Sequence, residues 1–146
     1  MASDKTAFDK PAQDKVANDK LLAKAQPVNP ATFRQALGQF PTGVTVVTAT
    51  TGDHPVGMTA NSFSSVSLDP PLVLWSVAKS SPSHDPFVEA DAFAIHFLGA
   101  DHGELALRFG RRGSDKFADI AHAPGITGAP LIEGLAPIFE LSLIHI

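Results

Sequence analysis

The chain has 146 residues, 44% of them apolar and 18% charged, a size and composition typical of one globular domain. The net charge of −4 excludes the basic face that nucleic-acid binding needs, and the absence of cysteine excludes disulfides, thiolate metal sites and a cysteine nucleophile. No apolar run approaches the roughly 20 residues that span a bilayer, and the N-terminus lacks the pattern of a secretion signal or a transit peptide. These features predict a soluble cytoplasmic protein that binds neither nucleic acid nor a membrane.

The first 28 residues differ from the rest of the chain. Asp-Lys pairs recur there every five residues, beginning with Asp4-Lys5 and Asp9-Lys10. A five-residue spacing builds no steady apolar face on a helix or a strand. We therefore predict a low-complexity, disordered tail over residues 1–28, for which a docking role is the alternative, and a folded domain over residues 29–146.

A short helix opens the predicted domain. Asn29 suits the N-cap and Pro30 the first helical position, so we predict a helix over residues 31–39. The apolar residues predicted to share one face of it are Phe33, Leu37 and Phe40.

Strands dominate the rest of the chain. Residues 44–50 are rich in β-branched side chains and predict a strand, which a loop at residues 51–53 joins to a returning strand over residues 56–63. The later predicted elements are, in order, a rigid turn at Asp69-Pro70-Pro71, a well-buried strand over 72–77, a helical turn from Ser81 to Glu89, a strand over 92–98, a helix over 105–109 with Asp101 and Glu104 as its capping box, a turn from Ser114 to Phe117, a loop and hairpin over 125–134 and a last strand over 135–141. Together they predict a mainly β barrel with short helices between strands.

The residues needed for several kinds of active site are missing. No glycine pattern matches a dinucleotide or nucleoside-triphosphate fingerprint, and no set of side chains suggests a nucleophilic triad. The six histidines are scattered without the spacing of metal ligands. His96 falls inside a predicted strand, where a lone histidine is more often structural than a ligand. We therefore nominate no catalytic side chain and no metal site.

Small hydroxyl and amide side chains are dense at the end of the returning strand and in the loop that follows it. Strand alternation predicts Thr59, Asn61 and Phe63 on one side of that strand and Ala60 and Ser62 on the other. Uncharged donors and free backbone N–H groups suit a planar heterocycle and a phosphate. A Ser/Thr-rich edge strand satisfied by its own backbone is an equally good interpretation.

Several segments taken together resemble a known family. They are Gly57-Met58-Thr59-Ala60-Asn61-Ser62-Phe63 and the stretches 40–48, 65–73, 93–98, 105–109, 115–117 and 128–131. In this order and spacing, over about residues 30–140, the chain resembles the flavin reductase-like, FMN-binding split-barrel family. That family includes the reductase components of two-component flavin monooxygenases.

The resemblance implies a fold and a cofactor site. The fold would be an antiparallel Greek-key split β-barrel with short flanking helices, present as a homodimer with FMN near the subunit interface. The residues implied to bind FMN are Thr42, Thr59, Ala60, Asn61, Ser62, Ser65, Val66 and Ser67, with Lys79, Ser80 and Ser81 in a looser assignment to the phosphate. Phe109 and Phe117 would flank the flavin or the nicotinamide, or else would be ordinary core aromatics.

The implied function is an NAD(P)H-dependent FMN reductase that supplies reduced flavin to a partner monooxygenase. Hydride would pass from nicotinamide C4 to flavin N5 with the rings about 3–3.5 Å apart. FAD is the alternative flavin, and a non-catalytic FMN-binding module or a nonfunctional fragment are the alternative functions. Residues 141–146 depart from the family pattern, which predicts that the family's last strands and their Gly-Asp-His segment are missing here, so that a barrel edge is unpaired.

Overall fold

The computed structural model describes residues 27–113, 115–135 and 138–143. Its contacts divide the chain into two compact units, Met1–Pro41 and Thr42–Ile146. Most of the tail predicted over residues 1–28 lies outside the described residues, and its last two residues are exposed. No helix within the described ranges is long and apolar enough to cross a membrane.

The described residues form three α-helices, one 3-10 turn and eight strands. The helices are α1 (Pro30–Leu37), α2 (His84–Glu89) and α3 (Gly103–Gly110), and the 3-10 turn is Ala100–His102. The strands are β1 (Thr45–Thr51), β2 (His54–Ala60), β3 (Ser64–Leu68), β4 (Pro71–Leu74), β5 (Ala92–Phe97), β6 (His122–Pro124), β7 (Pro130–Ile132) and β8 (Ile138–Ser142).

Helix α1, in the first unit, confirms the predicted N-cap. The side-chain oxygen of Asn29 accepts a hydrogen bond from the backbone N–H of Ala31 at 2.8 Å, which satisfies one of the free donors of the first turn. The helix ends at Leu37, so Phe40 lies beyond it and the predicted three-residue apolar face is wrong in its last member. Phe33 and Leu37 are both more than half exposed.

The second unit is built on an antiparallel sheet with strand order β2-β1-β5-β8. Two two-stranded sheets, β3-β4 and β6-β7, accompany it. This arrangement confirms the predicted mainly β, antiparallel fold with short flanking helices. Within the described residues the central sheet does not close into a complete barrel. This open arrangement agrees with a split barrel.

Both faces of the central sheet are covered, so β1 is buried along most of its length. On one face, Val47 and Ile95 pack with Phe87 of α2. On the other, Val46 packs with Phe109 of α3. A strand between two apolar layers carries apolar residues on both faces instead of alternating polar and apolar ones.

The returning strand of the first hairpin is shorter than predicted. It ends at Ala60, so the predicted alternation through Phe63 is wrong. Beyond Ala60 the hydroxyl of Ser62 accepts from the backbone N–H of Ser76 at 2.9 Å and donates to its carbonyl at 3.3 Å. These bonds join the segment after β2 to the segment after β4.

Strand β4 corrects a second prediction. The apolar run over 72–77 was expected to be a well-buried strand, but β4 spans Pro71–Leu74 and Leu74 is half exposed. Within the described residues β4 pairs only with β3, so its other edge has no partner strand there. Trp75, the residue after β4, packs against the core, where its ring contacts those of Phe87 and Phe93 edge-on.

Helix α3 begins differently from the prediction. Asp101 lies inside the 3-10 turn and forms no capping box with Glu104; instead Nδ1 of His102 accepts from the Gly99 N–H at 3.0 Å. The helix spans Gly103–Gly110, so it begins two residues earlier and ends one residue later than the predicted 105–109. Ser114, at which the next turn is predicted to begin, lies outside the described residues, and the Asp115 carboxylate accepts from the Phe117 N–H at 3.0 Å.

Candidate functional site

The end of β2 and helix α3 are held together by a close contact and a hydrogen bond. The Thr59 hydroxyl donates to the carbonyl of Ala106 at 2.6 Å. Gly57 faces the ring of Phe109, and a Cβ at that position would lie 2.6 Å from Cε1 of Phe109. Only glycine therefore allows α3 to approach the strand this closely.

Lys116 completes this junction. Its Nζ donates to the carbonyl of Phe109 at 2.9 Å and to that of Gly57 at 3.0 Å. Phe109 belongs to the last turn of α3, where carbonyls lack helical partners and a lysine is favoured. Burial lowers the pKa of the Lys116 amine. The side chain thus caps a helix and ties it to β2.

A cavity of about 150 Å³ lies beside this junction. Its polar lining side chains are Thr59, Ser80, Ser81, Ser83, Arg111, Arg112 and Lys116, and no carboxylate lines it among the described residues. Arginine, lysine and serine donors suit an anion with several acceptor oxygens, as a phosphate has. The geometry fits the phosphate end of a nucleotide.

A larger cavity, of about 920 Å³, also borders α3 and shares Arg111 with the small one. Its ionisable lining residues are Asp101, His102, Glu104, Arg108, Arg111, Asp115, Asp119 and Glu133. Five carboxylates against two arginines make it a poor place for a phosphate, because like charges repel at short range. None of the residues predicted to bind FMN lines it. The charge of the lining residues therefore identifies a phosphate site better here than the volume of the cavity does.

The structure brings three predicted site residues, Thr59, Ser80 and Ser81, into the small cavity. Ala60 is buried and its carbonyl accepts from the Thr45 hydroxyl at 2.8 Å, so its side chain belongs to the core. Asn61 is exposed directly after β2 and makes no side-chain hydrogen bond with the rest of the described chain. Thr42 is exposed just before β1, near the end of the ladder where Thr45 pairs with Ala60.

The remaining predicted residues lie outside the small cavity. Ser62 is engaged with Ser76, as described above. The β3–β4 pairing shifts register between Ser65 and Ser67, which leaves Val66 without a partner residue and 59% exposed. The hydroxyl of Ser67 accepts from the Asp69 N–H at 3.2 Å. Lys79 is exposed in the turn before Ser80 and Ser81.

Three cations of the cavity are not predicted from the sequence as ligand-binding candidates. Arg111 and Arg112 follow directly after α3, and Lys116 was noted only as part of a motif. The available signal was a basic run placed immediately after a helix, but such a run also suits the negative end of the helix dipole. Only the tertiary structure separates the two interpretations, because it places Arg111 and Arg112 in the lining of the same cavity as Ser81.

Three residues whose roles the sequence leaves open are buried in the core. Phe109 and Phe117 are buried and meet edge-on with ring centroids 5.1 Å apart, which favours the core interpretation for both. His96 is fully buried; its Nδ1 lies 3.1 Å from the Val46 carbonyl and its Nε2 accepts from the Ile132 N–H at 3.0 Å. Burial lowers the pKa of this imidazole. His96 therefore joins β5 to β1 and β7.

Comparison with known proteins gives the same family as the motifs. Residues 37–146 match the flavin reductase like domain. The chain is 57% identical over 112 residues to FMN reductase (NADH) SmoA of Agrobacterium fabrum, covering 77% of this chain and 64% of SmoA. It is 42% identical over 107 residues to HsaB, the reductase subunit of a flavin-dependent monooxygenase of Mycobacterium tuberculosis, covering 73% of this chain and 57% of HsaB. The chain thus spans less than two thirds of the length of both relatives.

Solved structures agree with this match. The NADH:FAD oxidoreductase SgcE6 of Streptomyces globisporus, in complex with NAD and FAD fragments, has a TM-score of 0.74 and 40% identity, with 83% of this chain and 75% of that chain covered. BorF, the flavin reductase component of a bacterial two-component tryptophan halogenase, has a TM-score of 0.73 and 41% identity, with 80% and 76% covered. By both sequence and fold, the chain belongs to the flavin reductase like domain family.

Proposed function

We propose that this protein is a flavin reductase that transfers hydride from NADH to FMN. The observation that carries the proposal is the cationic, carboxylate-free cavity next to the polar end of β2 in the described chain. A flavin phosphate in that cavity would lie beside Thr59, and Asn61 follows two residues later along the chain. Bound FMN would supply the hydride-accepting chemistry, and the protein would supply binding and orientation.

The residues around the cavity have distinct tasks in this proposal. Arg111 and Arg112 hold the phosphate by charge-assisted hydrogen bonds, and Ser81 adds a neutral one. The Asn61 amide reaches the polar edge of the flavin. Because Val66 has no partner residue on β4, its backbone groups are available to the ring edge.

The hydrogen bonds and burial described above restrict which groups Ala60 and Thr59 can offer to the flavin. Ala60 contributes through its backbone, and the Thr59 hydroxyl keeps only its acceptor lone pairs because its proton is donated to Ala106. Thr42 and Lys79 stay predictions as contacts to the ring and the phosphate.

The co-substrate and partners are part of the same proposal. NADH is preferred over NADPH because the names of SmoA and SgcE6 specify NADH, while SgcE6 keeps FAD as the alternative flavin. A monooxygenase is the proposed recipient of reduced flavin, by analogy with HsaB. A homodimer is supported by the exposed apolar side chains of the β3–β4 sheet, Val66, Leu68 and Leu74. The cytoplasmic location and the domain boundary at residue 29 stay predictions.

NADH oxidation tests the proposed activity. The purified chain supplied with FMN is expected to consume NADH, because a reductase must admit a nicotinamide ring against the bound flavin. The measurement is the loss of nicotinamide absorbance, with FMN-free protein and protein-free FMN as controls. Flavin binding without NADH or NADPH loss would favour the alternative, a non-catalytic FMN-binding module.

Asn61→Ala tests the ring edge of the site. The variant is expected to weaken FMN affinity by the loss of one side-chain hydrogen bond, typically worth about 0.5–1.5 kcal/mol. Equilibrium titration with FMN measures the change. Because the Asn61 amide has no partner within the described residues, the free energy of unfolding should stay within about 0.5 kcal/mol of wild type. An unchanged FMN affinity would remove Asn61 from the site.

A further inference from the structure

Lys116 is a half-buried cation without an acidic partner. Among the described residues the only close contact between a basic and an acidic side chain joins His84 and Asp85, so no carboxylate offsets the charge of Lys116. Both contacts of its Nζ are main-chain carbonyls, one on β2 and one at the end of α3. A buried ammonium held only by carbonyls costs desolvation energy that a neutral residue would avoid. Packing alone does not explain a lysine here.

The main chain around Lys116 is itself fixed to α3. Nε of Arg108 donates to the Lys116 carbonyl at 2.9 Å, and Nη2 of Arg108 donates to the Ala118 carbonyl. On the opposite side, the Phe117 ring packs against Phe109. The loop that carries Lys116 therefore cannot shift unless α3 shifts with it.

Two residues separate the Phe109 carbonyl from the arginines of the cavity. Arg111 and Arg112 continue the chain directly from Gly110, and both are exposed without a side-chain hydrogen bond in the described ranges. Because exposed arginine side chains keep their rotamer freedom, only a fixed backbone limits the space that their guanidinium groups can reach. The bond from Lys116 to Phe109 fixes that backbone against β2.

We infer that Lys116 is a positioning residue for flavin phosphate recognition, acting by holding the end of α3 so that Arg111 and Arg112 stand at the cavity. The inference rests on the proposed function. Lys116 spends two of its three donors on carbonyls. Its contribution to phosphate binding passes mainly through the two arginines.

Titration with FMN and with riboflavin, which lacks the phosphate, tests this role. Flavin fluorescence anisotropy is measured for the wild-type chain and for Lys116→Met, whose unbranched side chain keeps the packing without the donors. We expect FMN affinity to fall roughly 10-fold, as for the loss of a charge-assisted contact, while riboflavin affinity stays unchanged. Lys116→Arg restores donors at this position and is expected to recover most of the FMN affinity.

A mutant cycle separates positioning from direct contact. In the background Arg111→Gln/Arg112→Gln, adding Lys116→Met is expected to change FMN affinity by less than about 2-fold, because coupled residues are non-additive. An equal loss in both backgrounds would show that Lys116 contacts the phosphate on its own and would overturn the inference. A full retention of FMN affinity in Lys116→Met would overturn it as well.

The failure of the proposed function has a different signature. A wild-type chain that binds FMN no better than riboflavin has no phosphate site, whatever Lys116 does. Thermal unfolding checks that each variant is folded. If Lys116→Met does not fold, Lys116→Leu takes its place, since its apolar side chain also lacks the donors, and the same cycle and criteria apply.

Discussion

Phe109→Ala is expected to lower the free energy of unfolding by about 3–5 kcal/mol, the usual cost of truncating a buried phenylalanine. The ring is fully buried, lies against Gly57 and meets Phe117 edge-on. Gly57 has no side chain that could move in to fill the space. The cavity left behind would therefore remain, and α3 would lose its main apolar contact with the central sheet. Denaturant unfolding measures the change.

Leu107→Ala is the matched control on the same helix. Leu107 is 62% exposed, so its truncation removes little buried area. Its effect should stay within about 0.5 kcal/mol, as for most surface substitutions. Similar losses for the two variants would contradict the packing of α3 through Phe109. Because Arg111 and Arg112 follow α3, Phe109→Ala should also weaken FMN affinity.

Acidification is expected to destabilise the domain through His96. Burial holds the folded-state pKa of this imidazole below its usual value of 6.5. Above pH 6.5 both states are neutral and the full stability is present. As the pH falls from 6.5 toward the lowered folded-state pKa, only the unfolded state takes up the proton, so stability is lost by up to about 1.4 kcal/mol per pH unit.

His96→Leu should flatten this pH dependence and reduce stability at neutral pH. The Ile132 N–H loses its acceptor in the buried interior, which costs about 1–3 kcal/mol. The exposed His54→Leu is the control for losing a histidine elsewhere, and its neutral-pH stability should stay within about 0.5 kcal/mol of wild type. Denaturant unfolding between pH 5 and pH 8 compares the three proteins. Equal pH slopes in wild type and His96→Leu would refute the assignment.

The elements predicted correctly depend on neighbours in the sequence. The Asn29 cap acts within three residues, and the two-residue turn at Gly52-Asp53 joins β1 to β2 as a hairpin of near neighbours. The strand predicted over 92–98 likewise follows from a short run of apolar residues and is β5, Ala92–Phe97. Such patterns identify an element, but they do not say what covers it.

The wrong predictions concern places where the structure depends on residues that are far apart in the sequence. Strand β2 ends at Ala60, and two residues later Ser62 bonds to Ser76, 14 residues away along the chain. The apolar run of β4 looked buried because its composition resembles that of a sheet-core strand, yet the described chain offers it one neighbour only. His96 was recognised as structural from its strand, but its two partners lie 50 and 36 residues away.

The candidate site, too, is only partly predictable from the sequence. The sequence by itself determined the family, the mainly β fold and the polar end of β2, because motifs and periodicity are local and ordered along the chain. Only the tertiary structure decided that Arg111 and Arg112 share a cavity with Ser81, and that Lys116 bonds to Gly57, 59 residues away. The close approach of α3 to Gly57 depends on packing across the sheet, and no pattern within a single element records it.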